Sequence, residues 1–349
     1  MMTSSPASTR PAAVGARTAP GRFSAEQAIQ IHDLMLRARL LEERLITMYK
    51  QGEGYFWIGG PGEEAFSVPL GLLINKGQGV DHDYLHPHYR CSGTLLAMGA
   101  DPVDSLRQMK NAATDPYSRG RNFAGHYSAR KWNVVPVTSP IAVQFAMAIG
   151  TARAQRAGTG AKGITIVEGG DAGTAEGDFA TALIWSSRKG AELPLLMIVT
   201  NNRYGISTPY DGQHGYDQIA DRGRAFNMPT VVIDGNDPEV SHAALETALD
   251  YVRTERKPYL LEVMVSRLRG HSSASGANLA TNELDCLAMF EHTLEDRKIR
   301  SRAELDQLRE KYTLELGEAA ARIRGEPAPA PGSIWDHVFA DKNLVGGER

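Results

Sequence analysis

Residues 163–202 read GITIVEGGDAGTAEGDFATALIWSSRKGAELPLLMIVTNN, and the fold follows from this stretch. Gly163–Glu168 is an apolar run of strand length, and Leu195–Thr200 (LLMIVT) is a second. Runs that stay apolar without alternation belong to strands buried on both faces. Between them, Glu176–Lys189 has the length and pattern of a helix. A strand–helix–strand unit of about 30 residues makes a right-handed crossover that lays its two strands side by side and parallel. The carboxyl ends of both strands then share one edge, where open α/β sheets bind their ligands.

The pattern extends outward. Phe23–Lys50 predicts a helix, with Ile31, Leu34, Met35, Leu41, Leu45 and Met48 at three- and four-residue spacing and Ser24 placed to cap it. Ser139–Arg156 predicts a second helix, opened by Pro140. Downstream, a helix over Ala220–Phe226, a strand over Thr230–Ile233, a helix over Pro238–Glu255 and a strand over Tyr259–Val265 repeat the alternation, and Ala303–Arg324 is a charged late helix. The predicted class is α/β, with a mainly parallel β-sheet covered by helices on both faces.

The ends differ from this body. Residues 1–22 are rich in Ala, Ser, Thr and Pro, carry Arg10, Arg17 and Arg22, and have no acid before Glu26. A transit peptide and a solvated tail are both compatible with that composition; the prolines disfavour an amphipathic helix and favour a disordered tail. Residues 23–325 form the expected α/β domain. Residues 326–349 open with EPAPAPG, a stiff linker, followed by Ile334, Trp335, Val338, Phe339 and Leu344, which could dock a terminal segment. The 349 residues carry 38 basic and 41 acidic side chains, a net charge of −3, so no global field draws the chain to nucleic acid or to an anionic membrane. Two cysteines, Cys91 and Cys286, exclude a disulfide scaffold and a cysteine zinc cluster and suit the cytoplasm. No apolar run reaches the ~18 residues of a membrane span.

Four segments follow predicted strands: Gly169-Gly170-Asp171, Asn201-Asn202, Asp234-Gly235-Asn236-Asp237, and Arg267 to His271. In the first two, a carboxylate (Asp171) and an amide oxygen (Asn202) converge at neighbouring strand ends, as a hard cation such as Mg²⁺ requires when it is shared with phosphates. Gly170 and Gly173 permit close approach of a diphosphate, and a helix starting near Thr174 would aim its free N–H groups at the anion. The plainer reading makes Asp171 and Thr174 turn and cap residues and Asn201-Asn202 a turn. A nicotinamide site is disfavoured, because no GxGxxG lies between a strand and a helix.

GDAGTAEGDF (170–179) followed by NNRYGIST (201–208) resembles the thiamine diphosphate signature, and specifically that of the alpha subunit of the decarboxylating component of 2-oxo acid dehydrogenase complexes. LLEERLITMYKQGEG, GEEA (62–65), HYR (88–90), GRNFAGHYS (120–128), TSPIA (138–142), DGND (234–237) and GHSS (270–273) add to the resemblance, which runs from about Leu34 to His271. It implies a thiamine diphosphate-binding fold, with Asp171, Asn202 and the carbonyl of Tyr204 holding Mg²⁺. It implies Tyr89 and Arg90 on the diphosphate, Ser139 and Ile141 at the aminopyrimidine end, and Gly170, Ala172 and Gly173 in the phosphate loop. His271 would assist proton handling and acyl transfer, so that Tyr89, Arg90 and His271 form the catalytic set, with Arg267 on the phosphate side or anchoring the loop. Phe56, Trp57, His88 and Tyr127 would line the mouth of a substrate pocket.

The resemblance further implies oxidative decarboxylation of a 2-oxo acid, with transfer of the acyl unit to the lipoyl domain of an acyltransferase component. Branched-chain substrates are favoured over pyruvate; an acetoin dehydrogenase alpha subunit and a non-catalytic relative are the alternatives. The glutamate that activates the cofactor comes from a beta subunit in two-chain members, which implies an α₂β₂ assembly; Glu63 and Glu64 are poor candidates for it. Three positions depart from the pattern. Ala172 replaces a glycine, Ser275 replaces an acid after the loop histidine, and Val143 stands where some relatives bind potassium through a threonine, so that ion is not expected. Ser272 occupies a position phosphorylated in some eukaryotic relatives.

Overall fold

The structure is a computed structural model that describes residues 22–336 and 338, apart from 159 and 281. The tail before residue 22, Phe339 and Leu344 therefore lie outside the described residues.

The strands are β1 (Tyr84–His86), β2 (Thr165–Gly170), β3 (Leu195–Asn201), β4 (Tyr204–Gly205), β5 (Thr208–Pro209), β6 (Thr230–Asp234) and β7 (Tyr259–Met264). Five of them make one all-parallel sheet in the order β1-β2-β3-β7-β6, and β4 pairs with β5 in a short antiparallel hairpin. The helices are α1 (Ala25–Lys50), α2 (Glu64–Leu73), α3 (Ser92–Met98), α4 (Pro102–Met109), α5 (Val143–Ala157), α6 (Gly177–Ser186), α7 (Ala220–Ala225), α8 (Pro238–Glu255), α9 (Cys286–Asp296) and α10 (Arg302–Ile323).

The predicted α/β class holds, and strand periodicity shows why. Along β2 and β3, Ile166, Leu196 and Ile198 face one way, into a core with Phe66 and Leu70 of α2 and Leu245, Leu249 and Val252 of α8. Their neighbours Val167, Leu195, Met197 and Val199 face the other way, against Phe145 and Ile149 of α5 and Phe179 and Leu183 of α6. A third core joins α1 to α9 and α10 through Met35, Leu41, Phe290 and Leu316. Helix α1 starts where its cap predicts: Ser24 accepts from Gln27 N–H, and the Gln27 side chain answers to the Ser24 N–H.

Two helix starts move. Ser139 does not cap α5, which begins at Val143 after Ala142, a residue held at φ +65°. That left-handed turn stops the helix from reaching back to Pro140. Thr174 does not open α6 either. Residues Ala172–Ala175 form a 3₁₀ turn, and α6 starts at Gly177. The aspartates of DGND serve the chain itself. Asp234 accepts from the backbone and side chain of Asn236, and Asp237 caps α8. The linker is anchored at its start, where Glu326 takes Arg107 in a fork at 3.0 Å. Ile334, Trp335 and Val338 stay exposed.

Candidate active site

Pairing Gly170 with Thr200 places the next residues, Asp171 and the Asn201-Asn202 pair, side by side at the carboxyl edge of the sheet. The two asparagines divide the work. Asn201 turns away, donating to Glu262 of β7 at 2.7 Å and accepting from Arg203 N–H at 2.9 Å. Asn202 accepts from Tyr204 N–H at 3.2 Å, which folds the chain into the β4–β5 hairpin and holds the Tyr204 backbone beside it. Asp171 is almost fully buried, and its Oδ2 has no hydrogen-bond partner among the described residues. Burial pushes its pKa up to about 6. A buried carboxylate oxygen without a partner is costly, and a bound cation would relieve that cost. Among the described residues, no group of three His, Cys, Asp or Glu side chains could hold a metal ion. The oxygen groups at this edge are instead one carboxylate, one amide and backbone carbonyls, the donor types that hard cations take.

Beside Asp171 opens a cleft lined by His88, Tyr89, Ile141, Ala142, Gly170 and Gly173, with Phe145 beneath. A Cβ on Gly170 would reach to 3.6 Å from His88, and one on Gly173 to 3.3 Å from Ile141, so the absence of side chains keeps the cleft open. Neither Ala172 nor Gly173 has a positive φ, which is why alanine is accepted in place of glycine at 172. Ile141 is half exposed at the rim. Ser139 is exposed and meets His126 Nε2 at 2.9 Å.

Arg90, next to the cleft-lining Tyr89, is the hub of a neighbouring cluster. It is buried, donates through Nη1 to the carbonyl of Gly59, and reaches the His271 carbonyl at 3.3 Å and His271 Nδ1 at 3.4 Å through Nη2. Its Nε lies 3.6 Å from Glu63 Oε1. Tyr89 packs against His88 at 3.8 Å between ring centroids and edge-on to His271 at 6.2 Å. Burial, then the charges of Arg90 and Arg267, lower the His271 pKa to about 4, so its imidazole is neutral at pH 7. Arg267 anchors the loop, donating to the Ile206 carbonyl at 2.9 Å while its guanidinium lies over the Tyr204 ring.

The predicted pocket residues separate. His88 lines the cleft. Trp57 and Tyr127 are fully buried and belong to the core rather than to a mouth. The Trp57 indole donates to Glu42 at 2.8 Å, and Tyr127 packs edge-on to Tyr117. Phe56 keeps partial exposure and pairs with Phe123 at 5.4 Å, a partner that the motif GRNFAGHYS contained but that no spacing singled out. Glu63 and Glu168 were also invisible as a pair. Both are buried, and burial followed by surrounding charges sets their pKa values at about 7 and about 8. Glu64 is committed to Arg39, at 2.6 Å from Nε and 3.0 Å from Nη2.

A family model for the dehydrogenase E1 component matches residues 32–332, nearly the whole described chain. The chain belongs to the dehydrogenase E1 component family. Within the curated relatives of this E1 chain, the 2-oxoisovalerate dehydrogenase subunit alpha of Bacillus subtilis (strain 168) is 29% identical over 324 residues, 90% of this chain and 96% of the relative. The mitochondrial 2-oxoisovalerate dehydrogenase subunit alpha 2 of Arabidopsis thaliana is 30% identical over 253 residues, 72% of this chain and 52% of the relative. The mitochondrial 2-oxoisovalerate dehydrogenase subunit alpha of Bos taurus is 25% identical over 325 residues, 90% of this chain and 70% of the relative. The E1 match spans Asp171, Asn202, Arg90 and His271 alike. No helix among the described residues is long and apolar enough to cross a membrane.

Proposed function

We propose that this E1 chain is the alpha subunit of a thiamine diphosphate- and Mg²⁺-dependent 2-oxo acid dehydrogenase, acting on a branched-chain 2-oxo acid and passing the acyl unit to a lipoyl domain. The observation that carries the reading is Asp171. Its partnerless oxygen belongs to the strand end that β2–β3 pairing sets against Asn201-Asn202, next to a cleft lined by Gly169, Gly170, Gly173 and Tyr89. The names of the three relatives described above, each a 2-oxoisovalerate dehydrogenase alpha subunit, favour the branched-chain substrate. The buried free thiols Cys91 and Cys286 fit a reducing cytoplasm.

In this reading Asp171, Asn202 and the Tyr204 carbonyl hold the metal, Tyr89 and Arg90 face the diphosphate, and Ile141 and Ser139 meet the aminopyrimidine end. Bound there, the cofactor supplies the electron sink for loss of CO₂. The protein's own residues bind and orient. Arg90 presents a fixed charge whose Nε and Nη groups are already aimed by Glu63, Gly59 and His271. His271 stays neutral and acts as a hydrogen-bonding partner for the acyl group in transit. Glu63 and Glu64 lie behind Arg90 or on Arg39, so the activating glutamate is assigned to a beta subunit, and the site is completed in an α₂β₂ assembly.

The test is co-expression with a candidate beta subunit and measurement of decarboxylation with an artificial electron acceptor. Turnover of 2-oxoisovalerate and 2-oxo-4-methylpentanoate in preference to pyruvate or acetoin supports the proposal. Preference for pyruvate or acetoin revises the substrate, and absence of any turnover with cofactor bound points to a non-catalytic relative.

A further inference from the structure

Glu42 lies in the middle of α1 and makes no hydrogen bond to any residue proposed to hold the cofactor. It is nevertheless buried, and both its oxygens are used. Oε2 accepts the indole N–H of Trp57 at 2.8 Å, and Oε1 accepts the hydroxyl of Ser92 at 2.6 Å. Ser92 opens α3 two residues after Arg90. Trp57 in turn exchanges two hydrogen bonds with Ser273, two residues after His271. Its N–H donates to Ser273 Oγ at 3.1 Å, and its carbonyl accepts from Ser273 N–H at 2.8 Å.

The segment between these ties is pressed onto the same carboxylate. A Cβ on Gly59 would fall 2.0 Å from Glu42 Oε2, so only glycine fits there. The carbonyl of Gly59 then points at Arg90 and accepts from its Nη1. One buried carboxylate is thus tied to both segments that carry Arg90 and His271, and those two side chains meet at 3.4 Å. A guanidinium has no acceptor. The Nδ1 of His271 must therefore accept, which leaves the ring proton on Nε2.

We infer that Glu42 is a positioning residue which, through Ser92 on one side and the Trp57–Ser273 pair on the other, holds Arg90 against His271 Nδ1 and keeps His271 in its Nε2–H tautomer. The inference deepens the proposed function, because it rests on the roles given there to Arg90 and His271. Its reach is set by the bonding pattern. Removing the Trp57 N–H frees one end of the cross-piece without opening a large cavity, whereas an ordinary core tryptophan would act through packing alone.

The experiment is ¹⁵N NMR of histidine-labelled full chain, with His271 assigned by comparison with His271→Asn, alongside amide hydrogen exchange. Wild type is expected to show His271 as the single Nε2–H tautomer with a protected Ser273 amide. Trp57→Phe and Glu42→Gln are each expected to mix the tautomers and to speed exchange at Ser273 and Leu268 by about tenfold, with α8 unchanged. Ser273→Ala should mix the tautomers while leaving the Trp57–Glu42 bond in place. An unchanged tautomer in all three variants, or exchange that rises uniformly over the chain, overturns the inference. The readout needs no substrate and no second subunit, so failure of the decarboxylation assay leaves it standing, and its own failure leaves that assay untouched.

Discussion

The carboxylate of Glu64 takes two hydrogen bonds from Arg39, 2.6 Å from Nε and 3.0 Å from Nη2, and both side chains are buried. The same carboxylate accepts Gly62 N–H at 2.8 Å and the Cys286 thiol at 3.3 Å, while the far edge of Arg39 forks onto Asp285 at 2.9 and 3.0 Å. Helix α1 and the starts of α2 and α9 are locked at one point, just below the segment that leads to the cleft. Removing one member leaves a buried charge short of partners. Glu64→Ala is expected to cost about 3–5 kcal/mol in urea denaturation. Asp221→Ala, which breaks an exposed pair with Arg224, should cost under about 1 kcal/mol. Equal losses in the two variants would show that the buried pair adds nothing special.

Asp171 makes the opposite prediction for stability. Its carboxylate is held in a buried site with one oxygen partnerless and a pKa pushed up to about 6. A site that strains its own residue in the free chain relaxes when that residue is neutralised. Asp171→Asn should therefore leave the ligand-free melting temperature unchanged or higher. The same variant should lose the magnesium-dependent rise in melting temperature that thiamine diphosphate gives the wild type. A variant that still shows the full rise would remove Asp171 from the metal site.

Glu63 and Glu168 give the chain a pH signature. Their folded-state pKa values, about 7 and about 8, lie above the ordinary 4.5, because burial disfavours both anions, against the pull of Arg90 on Glu63 and with the help of Glu63 at Glu168. The folded chain thus keeps protons that the unfolded chain releases. That contribution is complete below the unfolded pKa and is lost as pH rises through the folded values. Glu168→Gln cannot ionise, so its stability relative to the wild type should climb as pH rises from about 4.5 to about 8, by a few kcal/mol, and level off above that. Denaturation midpoints across that range decide it; parallel curves would mean that Glu168 is already ionised near neutrality.

The sequence made the central sheet legible because β2, β3 and β7 are continuous apolar runs, and such runs have few other uses. The Asp171–Asn202 pairing followed, since one crossover fixes which strand ends are neighbours. Strand β1, three residues reading YLH, is too short to show a period, and it exists because β2 offers it a parallel partner. Trp57 and Tyr127 read as pocket residues in the sequence because an aromatic in a glycine-rich loop carries no local sign of which way it faces. Their partners, Glu42 and Tyr117, decide that only in three dimensions. The delayed start of α5 has a similar cause: nothing in TSPIA announces that Ala142 sits at φ +65°. Contacts such as Trp57 with Ser273 span more than half the chain, beyond the reach of any periodicity.

Phe123 carries the last prediction. It is half exposed, stands 5.4 Å from Phe56, and its carbonyl accepts from His126 N–H, whose side chain meets Ser139 beside the cleft rim formed by Ile141. An aromatic that the fold does not bury contributes little to stability, so Phe123→Ala should leave the melting temperature nearly unchanged. If the Phe56–Phe123 pair meets the side chain of a branched substrate, its loss removes apolar contact made equally in the ground and transition states. KM for 2-oxoisovalerate should then rise by about tenfold with kcat held. Pyruvate, with only a methyl group to place, should show a smaller rise. The ratio of the two KM changes is the measurement. A ratio of one would place the pair outside the substrate path, and a fall in kcat for both substrates would instead assign it to the approach of the acyl acceptor.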